Sequence, residues 1–126
     1  MARKKPTSLT DAELRLMDVL WKTGPATVSD VAGALPQDPP LAYSTILTTL
    51  RILETKGYLK HTKDGRAYLY EAVVPREQAC QNAVTHLLRR FFENSPELLV
   101  LNLIDAKKTS AKELKRLRRR IEESKQ

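Results

Sequence analysis

The sequence predicts a mainly α-helical fold carrying one small β-hairpin, and three observations support this. Residues 43–53 form a helical stretch, apolar at Ile46, Leu50 and Leu53 but with small hydroxyls and Arg51 elsewhere. Two alternating segments rich in Tyr and Leu, residues 58–63 and 66–72, flank Asp64-Gly65. Both residues of that dipeptide tolerate positive φ, which suits a two-residue type I′ turn. After Val73-Val74-Pro75 the composition shifts to a basic, Leu-rich helical tail.

Residues 1–8 read as a flexible basic arm, with Arg3, Lys4 and Lys5 free to reach a phosphate. Thr10-Asp-Ala-Glu13 has capping-box spacing and opens a first helix. Leu14, Met17 and Trp21 form its expected inward stripe, and Gly24-Pro25 ends it. Residues 26–28 are short and extended. Ser29 or Thr27 then caps a second helix with Val28, Val31, Ala32 and Leu35 on one face, stopped by Pro36 and Pro39-Pro40. The third helix runs from about Ala42 to Lys56, with Gly57 as its C-terminal glycine. The order helix, short strand, helix, helix, strand, strand is that of a winged helix-turn-helix. Residues 9–74 are therefore expected to be one such domain, three helices around a shared core with the hairpin on one side.

In residues 75–126 a helix over about 76–93 places Cys80, Val84, Leu87, Leu88 and Phe91 on one side. Ser95-Pro96 offers an N-cap and a first-position proline for a helix through Ile104. Ser110-Ala-Lys-Glu113 caps a last helix bearing Leu114, Leu117 and Ile121. A block of about 50 residues sits near the lower limit for folding alone. It nevertheless carries Leu87, Leu88, Phe91, Phe92, Leu98, Leu99, Val100, Leu101, Leu103 and Ile104. These side chains pack back on the winged helix or bury against another copy, and a two-fold homodimer is the expected solution. Its expected contacts are Val84, Leu87, Leu88, Phe91, Leu98, Leu101, Ile104, Leu117 and Ile121.

Composition narrows the function classes. No run of about 18 apolar residues exists, so no membrane insertion is expected, and the basic N-terminus lacks the apolar stretch of a secretory signal. Cys80 is the single cysteine, which excludes an intramolecular disulfide framework. A soluble, cytoplasmic protein is expected. Cys80 on an apolar helix face reads as packing in preference to a redox switch. His61 and His86 are isolated, and no phosphate loop or metal-spaced cluster occurs, so neither an enzyme nor a cofactor is expected.

The net charge of +7 suggests a polyanionic partner. Residues 1–74 hold ten basic and eight acidic side chains, against twelve and seven in residues 75–126, so most of the excess lies in the tail. The plain alternative for such a run is a solvated helix face.

On the third helix, Tyr43, Ser44, Thr45, Thr48 and Thr49 occupy the N-terminal half, the end that enters a major groove. Thr hydroxyls and methyls suit A·T-rich base edges, while Arg51 is better placed for the backbone. At the hairpin, Lys60, Lys63 and Arg66 flank the turn and are expected to grip phosphate or enter the minor groove. Solvated or capping hydroxyls and surface ion pairs are the plain alternatives. Tyr68 and Tyr70 share a strand face and read as packing. A winged-helix adaptor that never touches DNA would be apolar or acidic on these faces, and here they are hydroxylic and basic.

With these elements placed, the chain resembles the penicillinase-repressor (BlaI/MecI/CopY) family of bacterial regulators. The likeness rests on Leu9-Thr-Asp-Ala-Glu-Leu14, Met17-Asp-Val-Leu-Trp21, Thr45-Ile46 with Thr48, Leu50 and Leu53, Lys56-Gly57, and Gly65-Arg-Ala-Tyr-Leu-Tyr70. The resemblance implies a homodimeric winged-helix repressor binding double-stranded DNA at an inverted-repeat operator that overlaps a promoter. Its copper-responsive branch carries paired cysteines near the C-terminus, and this chain has none after Cys80. In the β-lactam-responsive branch a membrane sensor metalloprotease system cuts the repressor between an asparagine and a phenylalanine. The matching segment here retains Asn102 but follows it with Leu103.

Overall fold

The computed structural model describes residues 8–37, 39–105 and 110–124; the expected arm contacts of Arg3, Lys4 and Lys5 lie outside them. Helix α1 (Asp11–Thr23) starts at Thr10, whose hydroxyl accepts from the Glu13 N–H at 3.2 Å. The Glu13 carboxylate accepts in return from the Thr10 N–H at 2.8 Å. The capping box forms as expected, but the inward stripe is rotated from the expected one. Glu13, Leu16, Met17 and Leu20, at i, i+3, i+4 and i+7, face the core, while Leu14 is exposed. Trp21 lies at the core's edge and donates its indole N–H to the Val74 carbonyl at 2.9 Å. A charged residue at the head of the true stripe disguised it. Glu13 is buried because Lys56 reaches it at 2.7 Å.

Helix α2 (Val28–Ala34) is capped by Thr27 rather than Ser29, with Asp30 returning the bond. Val28, Val31 and Leu35 enter the core. The proline-rich turn after α2 is pinned by Arg15, whose guanidinium donates to the Pro36 carbonyl at 3.0 Å and the Pro39 carbonyl at 2.8 Å. Such charge-assisted bonds fix the angle at which the next helix leaves. Helix α3 (Tyr43–Thr55) buries Ile46, Thr49, Leu50 and Leu53, and Gly57 (φ +90°) reverses the chain after it.

Strands β1 (Leu59–Asp64) and β2 (Ala67–Ala72) pair antiparallel, from Leu59 opposite Ala72 to Asp64 opposite Ala67. Asp64 is thus the last ladder residue, and the two-residue turn is Gly65-Arg66, one position later than the sequence suggested. Gly65 has φ +65° and Arg66 does not share the positive φ, the pattern of a II′ turn, where only the first central residue needs glycine's freedom. Tyr70 also exchanges backbone bonds with Ala26 at 2.8 and 2.9 Å, adding a one-residue third strand. Tyr68 and Tyr70 share a face, but only Tyr70 is buried, because Tyr68 lies beyond the core towards the hairpin tip.

Helix α4 (Arg76–Phe91) begins against α1: Arg76 pairs with Asp18 at 2.6 Å and lies over the Trp21 ring at 4.8 Å. Its buried residue is Ala79. Cys80, expected to pack, is exposed, as are Val84, Leu87 and Phe91. The helix stops at Phe91, short of the expected Glu93, since Glu93 and Asn94 take left-handed conformations. Helix α5 (Pro96–Asp105) is capped by Ser95, whose hydroxyl accepts from the Leu98 N–H at 3.2 Å. Helix α6 (Ala111–Ser124) is capped by Ser110 through the Glu113 N–H at 3.2 Å.

The chain divides into two compact units, the first ending at His86 and the second beginning at Leu87. The first contains the core, including buried Tyr58 and Tyr70. No described residue of the second is buried. Among the described residues, no helix is long and apolar enough to cross a membrane.

Candidate nucleic-acid interface

The side of α3 opposite the core presents Tyr43, Ser44, Thr45, Thr48 and Arg51 to solvent, with Tyr43 56% exposed. Thr49, expected on this face, is instead buried, and its hydroxyl donates to the Thr45 carbonyl at 2.7 Å. Helical spacing explains the correction: 46, 49, 50 and 53 are i, i+3, i+4 and i+7, so Thr49 must share the core face. Bonding back to its own helix satisfies the hydroxyl there. Ala42 gives α3 no side-chain cap, so the first N–H groups of the helix have no side-chain acceptor.

The hairpin stands beside this face. Tyr43, Leu47 and Arg51 of α3, Arg66, Ala67 and Tyr68 of the hairpin, and residues 27–29 at the start of α2 line one open groove of about 280 Å³. The structure therefore brings Tyr43, Arg51 and Arg66 together, three residues the sequence singled out. Lys60 is turned to the opposite hairpin face, where it pairs with Glu71 at 3.4 Å. Lys63 stands opposite Tyr68 on the inner face.

The sequence profile of the penicillinase repressor family matches residues 9–123. The chain belongs to that family. A penicillinase repressor from Bacillus licheniformis is 30% identical over 122 residues, 97% of this chain and 95% of the relative. Among solved structures, the DNA-binding domain of the repressor BlaI superposes with a TM-score of 0.53 at 33% identity, covering 60% of this chain and 92% of that domain. The monomeric form of Bacillus licheniformis BlaI in complex with the blaP half-operator gives 0.50 at 32% identity, covering 59% and 90%. Membership makes the protein a DNA-binding transcriptional repressor with a winged-helix domain, and not an enzyme.

Within this repressor's winged helix, two groups escaped the sequence reading. His61 is not isolated: its Nδ1 lies 2.7 Å from both Glu54 carboxylate oxygens. A carboxylate only accepts, so His61 donates, tying β1 to the last turn of α3. Its ring also packs against Tyr68 and Tyr70, with centroids 4.6 and 5.8 Å away. Tyr68 itself lines the groove. Alternation put it on a face with Tyr70, but position along the hairpin decided that it faces solvent. Burial and the nearby Glu54 charge, opposed by Arg51, hold the Tyr70 hydroxyl above its ordinary pKa.

Glu13 anchors the scaffold beneath. Burial pushes its carboxyl upward, but bonds from the Lys56 ammonium and from Thr10, with the Lys56 charge, outweigh that and leave it below the usual range. The pair joins the start of α1 to the C-cap of α3. Among the described residues no three His, Cys, Asp or Glu side chains gather to hold a metal.

Proposed function

We propose that this repressor binds an inverted-repeat operator as a homodimer, one winged helix on each half-site. The observation that carries the reading is the meeting of Tyr43 and Arg51 of α3 with Arg66 of the hairpin in one groove, while Ser44, Thr45 and Thr48 stay exposed on the same helix. Ser44, Thr45 and Thr48 read base edges in the major groove. The uncapped start of α3 accepts a phosphate through its N–H groups and dipole. Lys63 and Arg66 hold the backbone at the hairpin and fix register. A related repressor domain solved with a half-operator supports duplex DNA as the partner.

Salt titration separates these roles. With about four phosphates neutralised per copy, log affinity falls with log salt at a slope near −7 for the dimer. Arg66→Ala weakens operator and random duplex alike and flattens the slope by about one unit per copy. Thr48→Ala relaxes base preference by about 1–3 kcal/mol and leaves the slope almost unchanged. Equal effects of both changes on specific and random duplex would overturn the assignment.

Relief of repression acts through the second unit in this reading. Two weakly binding heads gain affinity because the second contact is intramolecular, and cutting the tether removes that gain. Asn102 and Leu103 are exposed within α5. The scissile bond is helical, so a membrane sensor metalloprotease system must unwind α5 to reach it. Incubation with the cognate sensor is expected to give a fragment ending at Asn102; persistence of the intact chain argues against this mode of relief.

A further inference from the structure

The winged helix does not absorb the chain's charge excess, most of which lies after residue 74. Helix α6 concentrates it, with six basic side chains against Glu113, Glu122 and Glu123. Lys112, Lys115, Arg116 and Arg119 stand at i, i+3, i+4 and i+7, a single helical face, and all four are exposed. The apolar positions Leu114, Leu117 and Ile121 lie about 180° away at 100° per residue. Arg118 pairs with Glu122 at 3.5 Å. Among the described residues none of the four face cations has a carboxylate within ion-pair distance, so the face is not neutralised from within.

We propose that this basic face of α6 is a second, sequence-independent contact for duplex phosphates in each copy of the repressor. The inference rests on the dimer reading above, which assigns the opposite apolar stripe to the partner copy. That assignment selects among polyanions. An anionic bilayer needs the apolar stripe for insertion beside the charges, whereas a duplex needs the charges alone. The four cations span about 10 Å of helix, and a duplex presents one charge per about 1.7 Å of its axis, about six over that length, so it offers a phosphate for each cation. Once the winged helices engage, the duplex is already present at high effective concentration.

The test uses the full-length dimer carrying Lys115→Gln, Arg116→Gln and Arg119→Gln, since glutamine keeps helix propensity while removing charge. Sedimentation confirms that the dimer persists. With about two phosphates lost per copy, the slope of log affinity against log salt becomes shallower by about 3–4 units per dimer, equally for operator and random duplex. An unchanged slope with the dimer intact overturns the proposal. So does an unchanged slope accompanied by loss of binding to phosphatidylserine-containing vesicles, which assigns the face to lipid instead. Thr48→Ala, tested alongside, reports on the winged-helix reading through base preference, so failure of that reading is distinguishable from failure of this one.

Discussion

Up to His86 the chain closes its own core, whereas from Leu87 onward no described residue is buried. In the first unit Leu16, Met17, Leu50, Leu53 and Tyr58 are fully enclosed. In the second, Phe91 is 67% exposed, Leu117 46% and Ile121 48%. The two have comparable apolar supply but different geometry. Three helices crossed by a hairpin surround a centre, while the end of α4 with α5 and α6 encloses no described residue. Exposed apolar side chains of this number are the ground on which we propose that the second unit pairs with another copy, a need the first does not have.

The sharpest way to break that contrast is to place a charge in each region. Leu117→Asp is expected to yield monomers in sedimentation and to lower operator affinity by about 10²–10⁴-fold, the gain that linkage supplies. It should leave unfolding of the first unit unchanged. Leu50→Ala does the reverse, costing about 2–5 kcal/mol in denaturant unfolding through a buried cavity while dimerisation survives. If Leu117→Asp remained dimeric, the apolar stripe of α6 would need another explanation.

A smaller effect tests the scaffold under the reading face. Glu13→Gln is expected to cost about 1–3 kcal/mol, because it weakens a largely buried charged pair and half a capping box. The sign of its pH dependence follows from the lowered pKa of Glu13. A carboxyl depressed in the folded state stabilises fully above its unfolded value of about 4.3, and that contribution is lost as pH falls through the lower folded value. The parent's denaturation midpoint should fall across this acid range, and the Gln variant should lack that share of the decline.

Much of the winged helix was legible because its signals are local. Capping boxes, Gly57 and the prolines after α2 act within a few residues. The misreadings came where a polar residue stood on an apolar face. Glu13 and Thr49 are buried because a distant lysine and a local carbonyl satisfy them, and a hydrophobic count marks both as outward. The hairpin turn was misplaced by one residue because Asp64-Gly65 and Gly65-Arg66 both accommodate positive φ at glycine, and only the ladder pairing of Asp64 with Ala67 chooses between them.

By itself the sequence determined the order of elements, their caps, the hydroxyl composition of α3 and the uneven charge, since each follows from residue type and short-range spacing. Tertiary structure alone decided the groove joining Arg51 to Arg66, the His61–Glu54 tie, and the turning of Lys60 towards Glu71. Those contacts depend on how a strand leaves a helix and on which hairpin face meets it. Such angles are set by the packing of the whole core, to which no short stretch of sequence contributes more than a part.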